Sequence, residues 1–160
     1  MSNLDIRIDI KKFSHMNKSL AKNLEDDVLE LLVKSFADYI LRLYFRMIEE
    51  SINSRRYKGN WEPIEDKSYL EYLGTTPVSD ILICIREALK IKKIGYNFVV
   101  TFDDRYNYPG SRIPLVQVLR AVDSGNKEIN ARPIFRNITY PIQGNLTKLW
   151  KGYLTMKGVL

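Results

Sequence analysis

The chain has 160 residues, 45% of them apolar, and carries 25 basic against 19 acidic side chains for a net charge of +6. That is the length of one domain, with enough apolar material for a real core. A single cysteine, Cys84, excludes a disulfide framework within the chain and argues against a thiolate metal site, and no apolar run reaches membrane-spanning length.

The opening MSNLDIRIDIKK lacks the apolar centre of a signal peptide, so the expected compartment is a reducing cytoplasm or a particle assembled there. Within it, residues 4–10 alternate strictly. Leu4, Ile6, Ile8 and Ile10 share one face, and Asp5, Arg7 and Asp9 the other, which predicts a half-buried strand. The period then changes, with Phe13, Met16, Leu20 and Leu24 at helical spacing over 13–24. Residues 25–53 contain neither glycine nor proline, and Glu25, Asp26 and Asp27 stand in the first turn, where the helix dipole favours carboxylates. Val28, Leu31, Leu32, Phe36, Tyr39, Ile40, Leu43 and Ile48 recur at three- and four-residue steps. Such a helix is roughly 43 Å long at its usual rise per residue. A domain this small should not cover it, so part of its apolar surface is expected to meet another chain.

Residues 53–77 are irregular, with Gly59, Pro63, Gly74 and Pro77, Trp61 just ahead of Pro63, and a short helix expected at Lys67–Tyr72. Thr76-Pro77 reads as the start of a helix striped by Ile81, Ile85 and Leu89. Over 94–104 alternation returns: Ile94, Tyr96, Phe98, Val100 and Phe102 on one face, and a weakly polar second face with Val99 and Thr101. That predicts a strand covered on both sides, or with one side covered by a neighbouring subunit. A loop follows at 103–112, and then a short helix over 113–125 that stops at Gly125. After a charged loop, Pro133 fixes its own φ and biases Arg132 toward extended backbone, and Ile134 and Phe135 anchor the chain in apolar surface. Ile142, Leu146, Leu149 and Tyr153 give a last helix with a weak point at Gly144, and 155–160 reads as a tail. The expected fold is a single α+β domain over 1–160. Its small antiparallel sheet, built from 4–10 and 94–104, is flanked by one long N-terminal helix and two or three shorter ones.

Reaction chemistry is sparse. His15 is the only histidine, without a second ligand at metal spacing, and neither phosphate-binding glycine motif is present. Asp26-Asp27 is explained by the helix start, and Asp103-Asp104 by a strand closing into a turn, where Asp bonds its own backbone. Arg55-Arg56-Tyr57-Lys58 reads as a solvated loop. No enzyme and no cofactor is expected. The charge is unevenly spread: residues 1–85 hold 12 basic and 14 acidic groups, and residues 86–160 hold 13 and 5, a net −2 against a net +8. Such asymmetry fits nucleic acid or a partner with an acidic face, and ten tyrosines suit half-buried interface surface.

Taken in order, the strand, the long helix, the Trp-x-Pro of NWEPI (60–64), the second strand and the acid-x-Gly…Arg-Pro-x-aromatic of AVDSGNKEINARPIFR (121–136) form a pattern. It resembles the neck and tail-completion proteins of tailed bacteriophages, often filed as minor tail or virion-morphogenesis proteins. Asp123-x-Gly125 stands where that family tends to show Glu-x-Gly, Gly125-Asn126 stands for its Gly-Thr, and Phe135 falls one place later than its aromatic. The resemblance implies a structural virion protein, made in the host cytoplasm, that forms a homo-oligomeric, six-fold ring at the portal–tail junction. Its neighbours there would be a portal, adaptor or head-closure protein and a tail terminator or tail tube, with DNA passing through without sequence readout and no membrane involved. On this reading the subunit contacts fall to Trp61, Tyr106, Tyr108, Asp123, Arg132, Pro133 and Phe135. Two other classes compete: a basic nucleic-acid-binding module, and a small hydrolase using Asp103 or Asp104.

Overall fold

The alternating start of the chain becomes a strand, and the glycine-free run becomes one unbroken helix. A computed structural model describes residues 4–18, 25–53, 78–125 and 134–159. Its elements in chain order are β1 (Ile6–Asp9), α1 (Ile10–Lys18), α2 (Asp26–Asn53), α3 (Val78–Ala88), β2 (Leu89–Ile94), β3 (Asn97–Phe102), α4 (Leu115–Ser124), α5 (Arg136–Gly144) and α6 (Leu146–Met156). The fold is α+β: a three-stranded antiparallel sheet in the order β1-β3-β2, with one long N-terminal helix and five shorter helices among the described residues. None of these helices is long and apolar enough to cross a membrane. The expected helix at Lys67–Tyr72, Pro77, and Leu20 and Leu24 lie outside the described residues.

The sheet has one strand more than the sequence pattern predicted. Leu89 does not continue the stripe of α3. The helix ends at Ala88, and Leu-Lys-Ile-Lys-Lys-Ile turns to a two-residue period as β2. A two-residue loop, Gly95-Tyr96, returns the chain as β3, with Ile94 opposite Asn97. Gly95 holds φ +59 and Tyr96 a negative φ, the pattern of a type II′ turn, whose twist matches that of the strands it joins. The expected strand over 94–104 is therefore shorter at its start: Ile94 closes β2, and Tyr96 is an exposed turn residue. Val99 is buried on the second face of β3, flanked by Arg7 and Lys92 in the adjoining strands. Long basic side chains of that kind cover apolar surface with their stems.

The first face of the sheet carries Ile6, Ile8, Phe98, Val100 and Phe102, all buried, and α2 lies across it. On α2 the positions Leu29, Val33, Phe36, Ala37, Ile40, Tyr44, Ile48 and Ile52 are fully buried. The domain covers more of this helix than the sequence pattern predicted: among its large apolar side chains only Val28 and Leu31, at 44% and 64%, stand exposed. The opposite flank of α2 meets α1 and α6 through aromatic rings. Trp150 stands edge-on to Phe36 at 5.0 Å and to Phe13 at 5.6 Å, and Tyr153 lies 5.3 Å from Tyr39. Ring pairs in such tilted and edge-on arrangements contribute about 0.5–1.5 kcal/mol each beyond their buried area.

The predicted weak point at Gly144 is a break, and the C-terminal helical pattern becomes α5 and α6 joined at Asn145. Residues 155–159 are not a tail. The helix runs to Met156, Gly158 takes φ +74, and two bonds close the end, from Val159 N–H to the Leu154 carbonyl and from Gly158 N–H to that of Thr155. This is the Schellman arrangement, with Val159 packed back on the core as its apolar contact.

β1 is an edge strand, and its open side is closed by a side chain. The Arg7 N–H donates to Gln143 Oε1, and Gln143 Nε2 donates to the Arg7 carbonyl, both at 2.8 Å. The carboxamide thus pairs with the edge as a neighbouring strand would, and blunts it. Gln143→Ala should lower the free energy of unfolding in urea by about 1–2 kcal/mol, the loss of two neutral hydrogen bonds at an accessible edge.

Candidate functional site

The acid-x-Gly…aromatic segment closes on a single carboxylate. α4 ends in the turn that holds Asp123, and Gly125 follows with φ +74 and donates its N–H to the Ala121 carbonyl at 2.8 Å. Asp123 is 1% exposed, and its Oδ1 accepts the N–H groups of Ile134, Phe135 and Arg136 at 2.9, 2.8 and 3.3 Å. Those donors stand at the start of α5, where a helix has no partners of its own for them. Phe135 occupies the cap position with helical backbone and offers no side-chain acceptor. The cap is thus supplied from 11–13 residues earlier in the chain, and it ties the end of α4 to the start of α5.

The junction is bound into the sheet by rings. Phe135 is fully buried and stands edge-on to Phe102 at 5.9 Å, and Phe102 stands edge-on to Tyr44 of α2 at 6.1 Å. The Tyr44 hydroxyl donates to the Leu4 carbonyl at 2.8 Å. Burial, and then the nearby charges of Asp5 and Asp123, push that hydroxyl well above its ordinary pKa and keep it a donor. Asp123 Oδ2 is buried without a hydrogen-bond partner among the described residues.

The seven expected contact residues therefore separate. Asp123, Phe135 and Tyr108 are buried within the subunit, so their side chains serve the fold and offer no surface to a neighbour in this conformation. Tyr106 is half-buried on the 103–114 loop, with its carbonyl accepting the Leu115 N–H at 2.8 Å. Trp61, Arg132 and Pro133 lie outside the described residues. Ile134 and Phe135 do anchor the chain in apolar surroundings, and Asp123 and Gly125 do end a helix. What the sequence pattern missed is the bond between these two features. An acidic residue in the last turn of a helix, where the dipole disfavours it, was the available signal.

The aspartate pair at 103–104 is divided between two roles. Asp103 is buried, and Arg105 holds it with a backbone N–H at 3.0 Å and a guanidinium fork at 2.8–3.2 Å. The bonds from the Arg105 side chain, then its N–H, hold the Asp103 carboxyl well below the usual carboxylate range. A carboxylate so occupied is a turn former and a poor proton acceptor. Asp104 is exposed and lines a groove of about 700 Å³ between the outer sheet face and α4, with Asp5, Lys92 and Arg120 also on its walls. The groove mixes charges of both signs and focuses neither. His15 is exposed on α1, and among the described residues no group of three or more His, Cys, Asp and Glu could hold a metal ion. Cys84 is half-buried: its thiol donates to the Asn107 carbonyl at 3.3 Å, and burial followed by Glu87 raises its pKa.

Set against known proteins, the chain matches no family model, no curated protein and no solved structure.

Asp123→Ala leaves two buried N–H groups and one part-buried one without an acceptor and should destabilise the chain by on the order of 3 kcal/mol in urea unfolding, while Asp123→Asn keeps an oxygen at the cap and should lose less. The depressed pKa of Asp103 has the opposite reach in pH. Its contribution is present in full above the ordinary carboxylate value, near pH ~4, and is lost as pH falls toward the folded value. Urea midpoints followed from about pH 5 down to about pH 2.5 should fall less steeply for Asp103→Asn than for the wild type.

Proposed function

We propose that the chain is a structural subunit of a tailed-bacteriophage virion, assembling into a ring at the portal–tail junction through which DNA passes. The observation that carries this reading is the carboxylate junction. The residues on which the resemblance to neck and tail-completion proteins rests, Asp123, Gly125 and the segment after Pro133, form one built unit whose two ends are pinned by the same oxygen. Tying these two elements at one carboxylate fixes the spacing between Gly125 and Ile134, and on this reading the residues between them meet the next copy in a six-fold ring, a heterologous contact that closes. Arg132 and Pro133 belong to the presented segment, whereas Phe135 and Asp123 hold its base. Val28 and Leu31, exposed on α2, supply apolar surface for a further contact.

The test is the mass of the purified protein in solution, and its addition to portal or tail particles. The expected result is a ring that adds to one of them, and a strict monomer that ignores both particles overturns the proposal. On this reading Arg132→Ala should change stability by no more than about 0.5 kcal/mol, the usual size of a surface substitution, while weakening ring formation or attachment. Phe135→Ala should damage folding and assembly together, with about 3–5 kcal/mol lost from a fully buried aromatic. If Arg132→Ala instead unfolds the subunit and the surviving protein assembles normally, Arg132 is a structural clamp.

A further inference from the structure

Away from the junction, α2 and α6 enclose a second cleft, of about 290 Å³, at the outer end of the aromatic cluster. Its floor is Tyr39 and Tyr153, and its rim carries Arg42, Arg46 and Lys157, with Met156 beside them. Among the described residues no carboxylate lines it. The ion pairs of the described residues are formed by other cations, Arg86, Lys93 and Arg105, and these three make none. Arg42 spends one donor weakly, from Nε to the Asp38 carbonyl at 3.4 Å. The Lys157 ammonium stands 5.7 Å from the Tyr153 ring. Three cations on one cavity, with no carboxylate among its described lining residues, repel one another, and an anion seated among them relieves that repulsion.

The donors select the anion. Arg42 and Arg46 are four residues apart, so their forks come from one side of α2, and Lys157 comes from the end of α6 on the other side. A tetrahedral oxyanion offers acceptors to both sides at once, and the guanidinium fork fits phosphate oxygens in pairs. Stacking of a base is not provided for. Tyr153 is buried and lies stacked against Trp150, and Tyr39 is stacked against Phe36. We propose that this cleft binds a phosphate group without base readout, and that the phosphate belongs to the backbone of nucleic acid. The nucleic-acid source rests on the function proposed above, while the phosphate chemistry rests on the cleft alone.

Lys157 also complements the C-terminal end of α6, so Arg42 and Arg46 are the residues to change. The experiment follows binding of a short labelled duplex by fluorescence anisotropy across a salt series. It compares the wild type, Arg42→Gln/Arg46→Gln, and a charge-matched control, Lys90→Gln/Lys92→Gln on the sheet. The cleft variant should bind at least about tenfold more weakly, with a salt dependence shallower by about two phosphate contacts, and the control should bind nearly as the wild type does. Equal losses in both variants would mean diffuse attraction, and no loss in the cleft variant would mean an idle cleft; either overturns the proposal. Inorganic phosphate that protects the wild type but not the cleft variant from thermal unfolding, with no duplex binding, overturns the nucleic-acid source. So does loss of the ring in the cleft variant, which would make the cleft a protein contact. Duplex binding that depends on Arg42 and Arg46 in a chain that stays monomeric would uphold the cleft and sink the ring.

Discussion

The structure depends on keeping the apolar stripe of one long helix out of water. α2 has eight fully buried positions in an unbroken succession from Leu29 to Ile52. Each large apolar side chain among them contributes about 1.5–3 kcal/mol by leaving water, against an ordering cost of comparable size for the residues that cover it. No single layer can reach all of that stripe. The sheet takes one flank through Phe98, Val100 and Phe102, and α1 and α6 take another through Phe13, Trp150 and Tyr153. Because α2 is a rod, where each element meets it along its length decides which side chains from distant parts of the chain become neighbours.

The elements gathered in this way are short, and short elements have a high proportion of open ends. Here the open ends are closed by side chains far away in sequence. Asp123 caps α5, Gln143 occupies the free edge of β1, and the Tyr44 hydroxyl takes the Leu4 carbonyl ahead of β1. Each bond joins a helix to backbone that the helix does not itself contain, so cohesion between elements is polar as well as apolar. The junction between α4 and α5 shows the consequence. The Asp123 carboxylate ties the end of α4 to the start of α5, and Phe135 there joins the ring stack of Phe102 and Tyr44.

Charge follows the same logic. Along the chain the basic excess lies after residue 85, and the first half is slightly acidic. In space that division dissolves. Arg42 and Arg46 come from the acidic half and stand with Lys157 from the basic half, over tyrosines from both. The cleft between α2 and α6 and the Asp123 junction share α2 as their support, with Tyr39 and Tyr44 about 7–8 Å apart along its axis.

The sequence by itself determined the elements whose cause is local. The period of 4–10, the glycine-free run with acids in its first turn, the stop at Gly125 and the break near Gly144 each depend on backbone preference and spacing within a few residues, and each is found in place. It also fixed that Asp103 turns the chain, since that bond spans two residues. The tertiary structure alone decided that 89–94 is a strand, because a short alternating run is committed by its partner and not by its own preference. It likewise decided that 155–159 is a capped helix end packed on the core, that Asp123 reaches across to Phe135, and that two arginines share a cleft with a lysine 111 residues beyond the second of them. Contacts of that range leave no period in the sequence; they exist only once burial of α2 has brought their elements to the same place.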